Sequence, residues 1–366
     1  MSAASYNKIL IVNPFGIGDA IFSMYLVEAL KKNLPQTQIG FLGNERVSGL
    51  LRMNRSIDVC HEFNRDEFRA LKKRNSAAFL FRLLAFAASV KKERYGAMFD
   101  LSLGREFGFA GACLGIRRRI GFNFKRRGLW LTHRTKLEAY EKKHVVEWQA
   151  GLLEALNLKA GDIPAKLPLV VSVQAAQEAR NFLAQHGVVE GAAVLAVAPG
   201  GGKSWGSNAT YKQWAPERFA EAVEQSRSAG HTVALLLGDA EEKPLLEKAK
   251  NALSVPAVVA AGLRLEVVCA LLQKSRALLC NDGGLLHLAN ALGVSTASMY
   301  GPVDEKVYGP YGAGVRREVL TEAVPCRPCY HKFHFPPCGH DRRCLEELSV
   351  EKVSAALQKI CYSEKL

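Results

Sequence analysis

At 366 residues, 48% hydrophobic and 23% charged, the chain is longer than one typical domain and composed like a soluble protein with buried cores. Its net charge of +14 is uneven: residues 1–165 hold 27 Lys and Arg against 15 Asp and Glu, the remainder 22 against 20. No run reaches the ~18–20 uncharged apolar residues of a spanning helix, and the first residues lack signal-peptide architecture, which together predict a cytoplasmic protein.

The N-terminal half opens with an apolar strand, KILIVNP (8–14), a glycine loop and a helix from Asp19. Strands IGFLG (39–43) and IDVCHEF (57–63) follow, then a long helical region to about residue 92 and strand AMFDLSL (97–103). Within that region SAAFLFRLLAFAASV (76–90) reads as a core-facing helix, with an amphipathic surface helix as the alternative. Prolines and glycine in LKAGDIPAKLP mark a domain boundary. The second half repeats the scheme with strands AVLAVAP (193–199), TVALLLG (232–238), AVVAA (257–261), RALLC (276–280) and VSTASMYG (294–301), separated by helices. Strands alternating with helices predict parallel sheets covered on both faces. The expected organisation is an N-terminal domain 1–170, a C-terminal domain 171–346 with a Cys-rich loop 326–344, and a C-terminal helix 347–366.

Polar signals gather where strands end, as ligands do in such sheets. NDGGLLH (281–287) joins strand exit to helix start: Asp282 is placed as an N-cap, Gly283 and Gly284 admit close backbone approach, and His287 with Asn290 projects away from the core stripe. A capped turn and an anion cradle at the helix N-terminus both fit. Asp19 is an N-cap or a carboxylate positioned as a general base. Lys203 and Lys212 precede the next helix, where an ammonium could neutralise a diphosphate or simply be solvated. Glu242 could accept bonds from ribose hydroxyls or complement a helix dipole. Neither G-x-G-x-x-G nor Walker A spacing is present. Basic clusters at Lys72-Lys73-Arg74, Arg117-Arg118-Arg119 and Lys125-Arg126-Arg127 form a patch for an anionic partner: nucleic acid, acidic membrane or phosphorylated glycan.

Nine cysteines are present. Cys60, Cys113, Cys269, Cys280 and Cys361 are scattered and read as small buried hydrophobes. Cys326, Cys329, Cys338 and Cys344, spaced C-x2-C-x8-C-x5-C, suit a closed structural site for zinc or a single iron, with free thiols or disulfides as alternatives.

With these motifs in place, the chain resembles glycosyltransferase family 9, the ADP-heptose:lipopolysaccharide heptosyltransferases. ILIVNPFGIGDAIFSMYLVEALKK is similar to the family's opening strand, G-D loop and helix, and MFDLSL, RRRIGF and HVVEWQAGLLEALNL to later landmarks. YKQWAPERFAEAV resembles its K-x-W-x-x-E segment and LLLGDAEE its G-x-x-x-E segment. NDGGLLHLANALGVSTASMYGPVDEKVYGPYG resembles its most diagnostic block.

The resemblance implies a GT-B architecture, two doubly wound Rossmann-like domains facing each other across a cleft, with ADP-heptose in the C-terminal domain and the acceptor in the N-terminal one. Asp19 becomes the base for an inverting displacement. Lys212 neutralises the diphosphate, Glu242 holds the ribose, and Asp282, Gly283, Gly284 and His287 line the sugar–diphosphate. Arg117, Arg118, Arg119 and Lys125 are expected to bind an anionic acceptor. No cofactor is needed for catalysis.

Two departures stand out: Gly283 replaces the family's Thr/Ser, and Phe15 replaces an often small residue. The four-cysteine segment is shared with relatives that glycosylate autotransporter proteins through an iron-binding finger. The leading expectation is transfer of heptose from ADP-heptose to the lipopolysaccharide inner core by a cytoplasmic enzyme peripheral at the inner membrane, with no nucleic-acid partner. The alternatives are an autotransporter heptosyltransferase modifying serine, and a non-catalytic metal-containing nucleic-acid-binding protein.

Overall fold

The computed structural model describes residues 6–159, 161, 163, 166–201 and 203–361. The chain divides into two compact units, Met1–Pro168 and Leu169–Leu366.

The first unit is built on six parallel strands: β1 (Lys8–Asn13), β2 (Gln38–Gly43), β3 (Val59–Glu62), β4 (Ala97–Asp100), β5 (Arg118–Phe124) and β6 (His133–Leu137). They lie in the order β3-β2-β1-β4-β5-β6. Ile9, Leu10, Ile11 and Val12 of β1 are all buried, because helices cover both faces of a central parallel strand and leave no polar side. The second unit repeats the design with β7 (Val194–Ala198), β8 (Val233–Gly238), β9 (Ala257–Ala261), β10 (Ser275–Asn281), β11 (Ser295–Met299) and β12 (Arg317–Leu320), ordered β12-β11-β10-β7-β8-β9. Each is the doubly wound order, which reverses direction once. The reversal falls between β1 and β4 in one unit and between β7 and β10 in the other, where the carboxyl ends of neighbouring strands open a crevice.

Strands β5, β6 and β12 were not foreseen. They lie at or next to sheet edges, and their sequences RRIGFNF, HRTKL and REVL carry too many charges to read as apolar runs. The Val350–Cys361 helix is part of the second unit's core, contributing Val350, Val353, Ala356, Leu357 and Ile360 to one cluster with Trp214 and Phe219. The Ser76–Lys91 helix corrects the core-facing reading: Val90 is its one buried residue, and Leu80, Phe81 and Leu84 are exposed. Among the described residues no helix is long and apolar enough to cross a membrane.

Candidate functional site

In the second unit the polar residues converge on the β7/β10 reversal. Asn281, the last residue of β10 and buried, donates from Nδ2 to Pro199 O (2.8 Å) and Gly200 O (3.3 Å), and accepts from the Trp214 backbone N–H (3.1 Å). One amide side chain thereby ties the ends of β7 and β10 to the loop that carries Lys212.

Next to it, Lys212 Nζ lies 2.6 Å from Asp282 Oδ2, with both side chains about 5% exposed. A charge pair survives at that depth only when well aligned, since each charge has lost its water. The Asp282 backbone N–H donates to Met299 O (3.0 Å), and burial together with the adjacent Asp282 pushes the Tyr300 phenol well above its usual range.

The expected N-cap is corrected. The Gly284–Ala291 helix is preceded by Gly283, which is extended (φ 175°) and makes no side-chain cap bond, while the Asp282 carboxylate turns to Lys212. The start of this helix therefore carries no side-chain cap, the condition for an anion site. A Cβ on Gly283 would meet nothing closer than Gly201 O at 3.8 Å, so glycine is not sterically required there.

His287 is buried, not projecting outward. Asn290 is buried too, donating to Leu286 O (2.8 Å) and Thr296 Oγ1 (3.2 Å) and accepting from Arg317 Nε (2.6 Å). The expected outward projection fails because this helix is enclosed nearly all round, so polar character marks internal bonds instead of an outer face.

Glu242 immediately precedes the Lys243–Asn251 helix and accepts from the Asp239 N–H (3.0 Å). Its carboxylate occupies the space a Cβ at Gly200 would need, and one at Gly238 would come within 2.9 Å of it. Gly200, just beyond β7, and Gly238, ending β8, thus make room for the acid, a role that neither G-x-G spacing nor propensity reveals. The side chain of Lys203 lies outside the described residues.

In the first unit Asp19 is not an N-cap. It lies in the first turn of the Ile17–Asn33 helix, partly buried, with Gly16 in the capping place. Buried Asn13, which ends β1, holds this loop: it donates to Ser23 Oγ (2.7 Å) and Asp19 O (3.1 Å) and accepts from the Phe15 N–H (3.2 Å).

Asp100, ending β4 directly beside β1, escaped the sequence reading; the only hint was an acid closing an apolar run. Its Oδ1 accepts from Ser102 Oγ (2.6 Å) and Ser102 N (3.0 Å). Burial nevertheless pushes its carboxyl up to about 6, against these bonds.

The basic clusters separate. Arg117, Arg118 and Arg119 sit at the start of β5, the opposite edge of the parallel sheet from Asp19. Arg119 is spent on the Trp130 and Ile116 carbonyls (2.7 and 2.6 Å), and Arg118 lies 3.2 Å from His133. Lys125 follows the end of β5, on the Asp19 edge, with its ammonium 5.1 Å from the Phe124 ring centre. Lys125 and Arg126 both adopt left-handed backbone (φ 46° and 58°), uncommon outside glycine and a mark of a constrained turn.

The expected metal centre finds no support among the described residues. Cys326, Cys329, Cys338 and Cys344 are free thiols, near enough that the first three add to burial in raising Cys344 to about 11. Among the described residues, however, no group of three or more His, Cys, Asp or Glu side chains could hold a metal ion. Cys344 is drawn into the hydrophobic core, and Cys338 Sγ accepts from the Arg342 N–H (3.3 Å). The segment instead braces the Lys212 loop: Arg342 donates to Thr210 O (3.1 Å) and Gln213 O (3.2 Å), and Phe335 packs on Tyr211. Of the scattered cysteines, Cys269 and Cys280 are buried as expected, whereas Cys113 is exposed.

A profile of Glycosyltransferase family 9 (heptosyltransferase) matches residues 84–336. The chain is 31% identical over 163 residues to lipopolysaccharide heptosyltransferase 1 of Pseudomonas aeruginosa, a match spanning 40% of this chain and 44% of that protein. It is 24% identical over 334 residues to lipooligosaccharide heptosyltransferase 2 of Haemophilus influenzae, spanning 87% and 91%. Among solved structures, a glycosyltransferase family 9 protein from Veillonella parvula superposes with a TM-score of 0.80 at 19% identity, covering 98% of each chain. The E. coli ADP-heptose heptosyltransferase II gives 0.73 at 20% identity, covering 97% of this chain and 98% of that one. The shared architecture is the GT-B fold of two doubly wound units, and the profile spans well over half of the sequence: the chain belongs to glycosyltransferase family 9.

Proposed function

We propose that the protein is an inverting heptosyltransferase that moves heptose from ADP-heptose to a hydroxyl of the lipopolysaccharide inner core. The observation that carries this reading is the buried Lys212–Asp282 pair beside the uncapped N-terminus of the Gly284–Ala291 helix at a sheet reversal. The lipopolysaccharide and lipooligosaccharide heptosyltransferases of Pseudomonas and Haemophilus, and the E. coli ADP-heptose enzyme, support the choice of donor and acceptor.

In this reading the second unit holds the donor. Glu242 accepts from the ribose hydroxyls, and the N–H groups of the 283–285 turn, with Lys212, face the diphosphate while His287 lines the sugar. The first unit holds the acceptor, with Lys125 drawing its anionic groups and Arg117–Arg119 outside the site. As the acceptor oxygen attacks the anomeric carbon from the face opposite ADP, Asp19 takes its proton. The bond from that carbon to the β-phosphate oxygen breaks, and the electron pair leaves on ADP. Donors fixed where this charge develops stabilise the transition state more than the ground state. The step requires the Asp19 carboxylate to reach the attacking acceptor hydroxyl.

The test is incubation with ADP-heptose and either truncated lipopolysaccharide or an autotransporter passenger peptide, read by mass spectrometry. The expected result is one heptose added to the glycolipid, lost in Asp19→Asn while ADP binding stays near wild type. Transfer to serine of the peptide alone would replace the acceptor reading, and retained turnover in Asp19→Asn would remove Asp19 as base.

A further inference from the structure

Two consecutive helices of the first unit, Arg65–Arg74 and Ser76–Lys91, form a hairpin whose outer side is left exposed by the described residues. Its inner side is well packed. Phe68 stacks on Phe63 (4.9 Å between ring centres), Phe79 and Phe86 meet Phe68 edge-on (6.1 and 6.2 Å), and Val90 is buried. Asn64 and Asn75 cap the two helices, accepting from the Glu67 and Ala78 N–H groups, so both are set by local chemistry and not by a missing partner.

The outer side is apolar as well. Leu80 is 53% exposed, Phe81 77% and Leu84 59%, and Ala77 and Ala88 extend the same stripe at intervals of three and four. Large apolar residues exposed singly are ordinary, but three adjacent on one helix face form a patch that marks an interaction surface.

Charge identifies the occupant. Residues 65–92 hold eight Lys and Arg against two Asp and Glu. Both acids already have basic neighbours, Asp66 with Arg46 (3.8 Å) and Glu67 with Arg82 (3.6 Å). Lys72, Lys73 and Arg74 close the first helix, exposed, and Lys91 and Lys92 close the second. An apolar stripe flanked by cations, on a helix too short to span a bilayer, has the make-up of a helix lying in the plane of an anionic membrane surface. Each signal alone gives marginal binding, and the two together give a stable one.

We propose that this hairpin is the surface by which the protein docks on an anionic bilayer, with Leu80, Phe81 and Leu84 entering the headgroup–acyl boundary. The proposal rests on the reading of the acceptor as a membrane-anchored glycan. It deepens that reading: the first helix starts just beyond the carboxyl end of β3, so the hairpin leaves the sheet from the same edge as the Asp19 loop.

The experiment uses the full chain, without donor or acceptor, and sedimentation with vesicles of phosphatidylethanolamine and phosphatidylglycerol or of phosphatidylcholine alone. Wild type should bind the anionic vesicles, more weakly as salt rises, and leave phosphatidylcholine in the supernatant. The Lys72→Gln/Lys73→Gln/Arg74→Gln variant should bind roughly a hundredfold more weakly, at about fivefold per charge. The Leu80→Ser/Phe81→Ser/Leu84→Ser variant should lose at least about tenfold from its buried apolar area. Both variants should keep ADP binding and transfer to a de-acylated, soluble acceptor. Wild type that ignores anionic vesicles, binds both kinds equally, or is matched by both variants would overturn the docking surface. So would a wild-type dimer that the serine variant splits, since the stripe would then join two copies. Failure of wild type to modify even the soluble acceptor would count against the proposed function alone, because vesicle binding is read separately.

Discussion

Lys212→Met tests whether the buried lysine organises the site, binds the donor, or does both. With Nζ at 2.6 Å from Asp282 and both side chains about 5% exposed, the substitution strands a carboxylate without its counter-charge. Breaking such a pair from one side costs about 3–5 kcal/mol. Reduced ADP binding by the single variant is therefore uninformative, because the helix start and the Asn281 tie would be disturbed along with the charge. The informative protein is Lys212→Met/Asp282→Asn, which removes both charges and should recover most of the loss in urea denaturation, giving a coupling energy of about 2–3 kcal/mol. Calorimetry with ADP then isolates the ligand contact. A charge-assisted bond to phosphate is worth about 1.5–3 kcal/mol, so the stable double variant should bind ADP roughly 10- to 100-fold more weakly. A double variant as stable as wild type that binds ADP equally well would show that Lys212 only supports the fold, and would refute the cradle as drawn.

Three further outcomes follow from the geometry. Gly283→Ser has room for its Cβ and an extended backbone that any residue adopts, so it should fold normally and strengthen ADP binding by about fivefold through one added hydroxyl donor; weaker binding would place the diphosphate elsewhere. Gly200→Ala drives a methyl into the Glu242 carboxylate and should weaken ADP binding about tenfold, whereas Gly200→Ala/Glu242→Ala should regain stability in denaturation without regaining affinity. Asp100 carries a pH signature. Its carboxyl is raised from 3.8 to about 6 by burial, so the native state prefers the proton; the stability this confers is complete below 3.8 and is lost as pH rises through about 6. The difference is at most about 3 kcal/mol, and Asp100→Asn should flatten that part of the pH–stability curve measured by thermal unfolding.

The parts of the molecule legible in the sequence were those where one physical demand dominates. Central strands such as KILIVN and SRALLCN are buried on both faces and read as continuous apolar runs, and ligand-facing loops followed from where those runs stopped. The edge strands β6 and β12 were illegible, since solvent on one side lets HRTKL keep three polar residues exposed, whereas the more apolar edge strands β3 and β9 could be read. The Ser76–Lys91 helix was misread for the complementary reason: it is apolar on both its packed and its open side, so periodicity carried no direction. Within the site, types of residue were readable and partners were not. Asp282 in a turn fits capping, and only the fold reveals that Lys212, far upstream, claims its carboxylate. The cysteine spacing was readable, but not that Cys344 packs into the core or that Arg342 donates to the carbonyls flanking Lys212.

The excess positive charge of the N-terminal half is where sequence and fold together say more than either. One basic patch was expected, for nucleic acid, an acidic membrane or a phosphorylated glycan, but the strands sort the clusters by edge. Arg117, Arg118 and Arg119 begin β5, and Arg119 closes backbone carbonyls there, so substituting it should cost stability before it touches affinity. Lys125 follows the end of the same strand, on the Asp19 side of the sheet, where a phosphorylated sugar would need a cation. Lys72, Lys73 and Arg74 sit on neither edge of β5 but on the helical hairpin with the exposed leucines and Phe81. A field that only steers a soluble substrate would need no apolar stripe beside it, and an apolar stripe alone would bind neutral lipid as well as anionic. Their coincidence on one hairpin separates membrane capture from acceptor recognition, and the two should therefore respond independently to mutation, vesicle binding following Lys72–Arg74 and soluble-acceptor KM following Lys125.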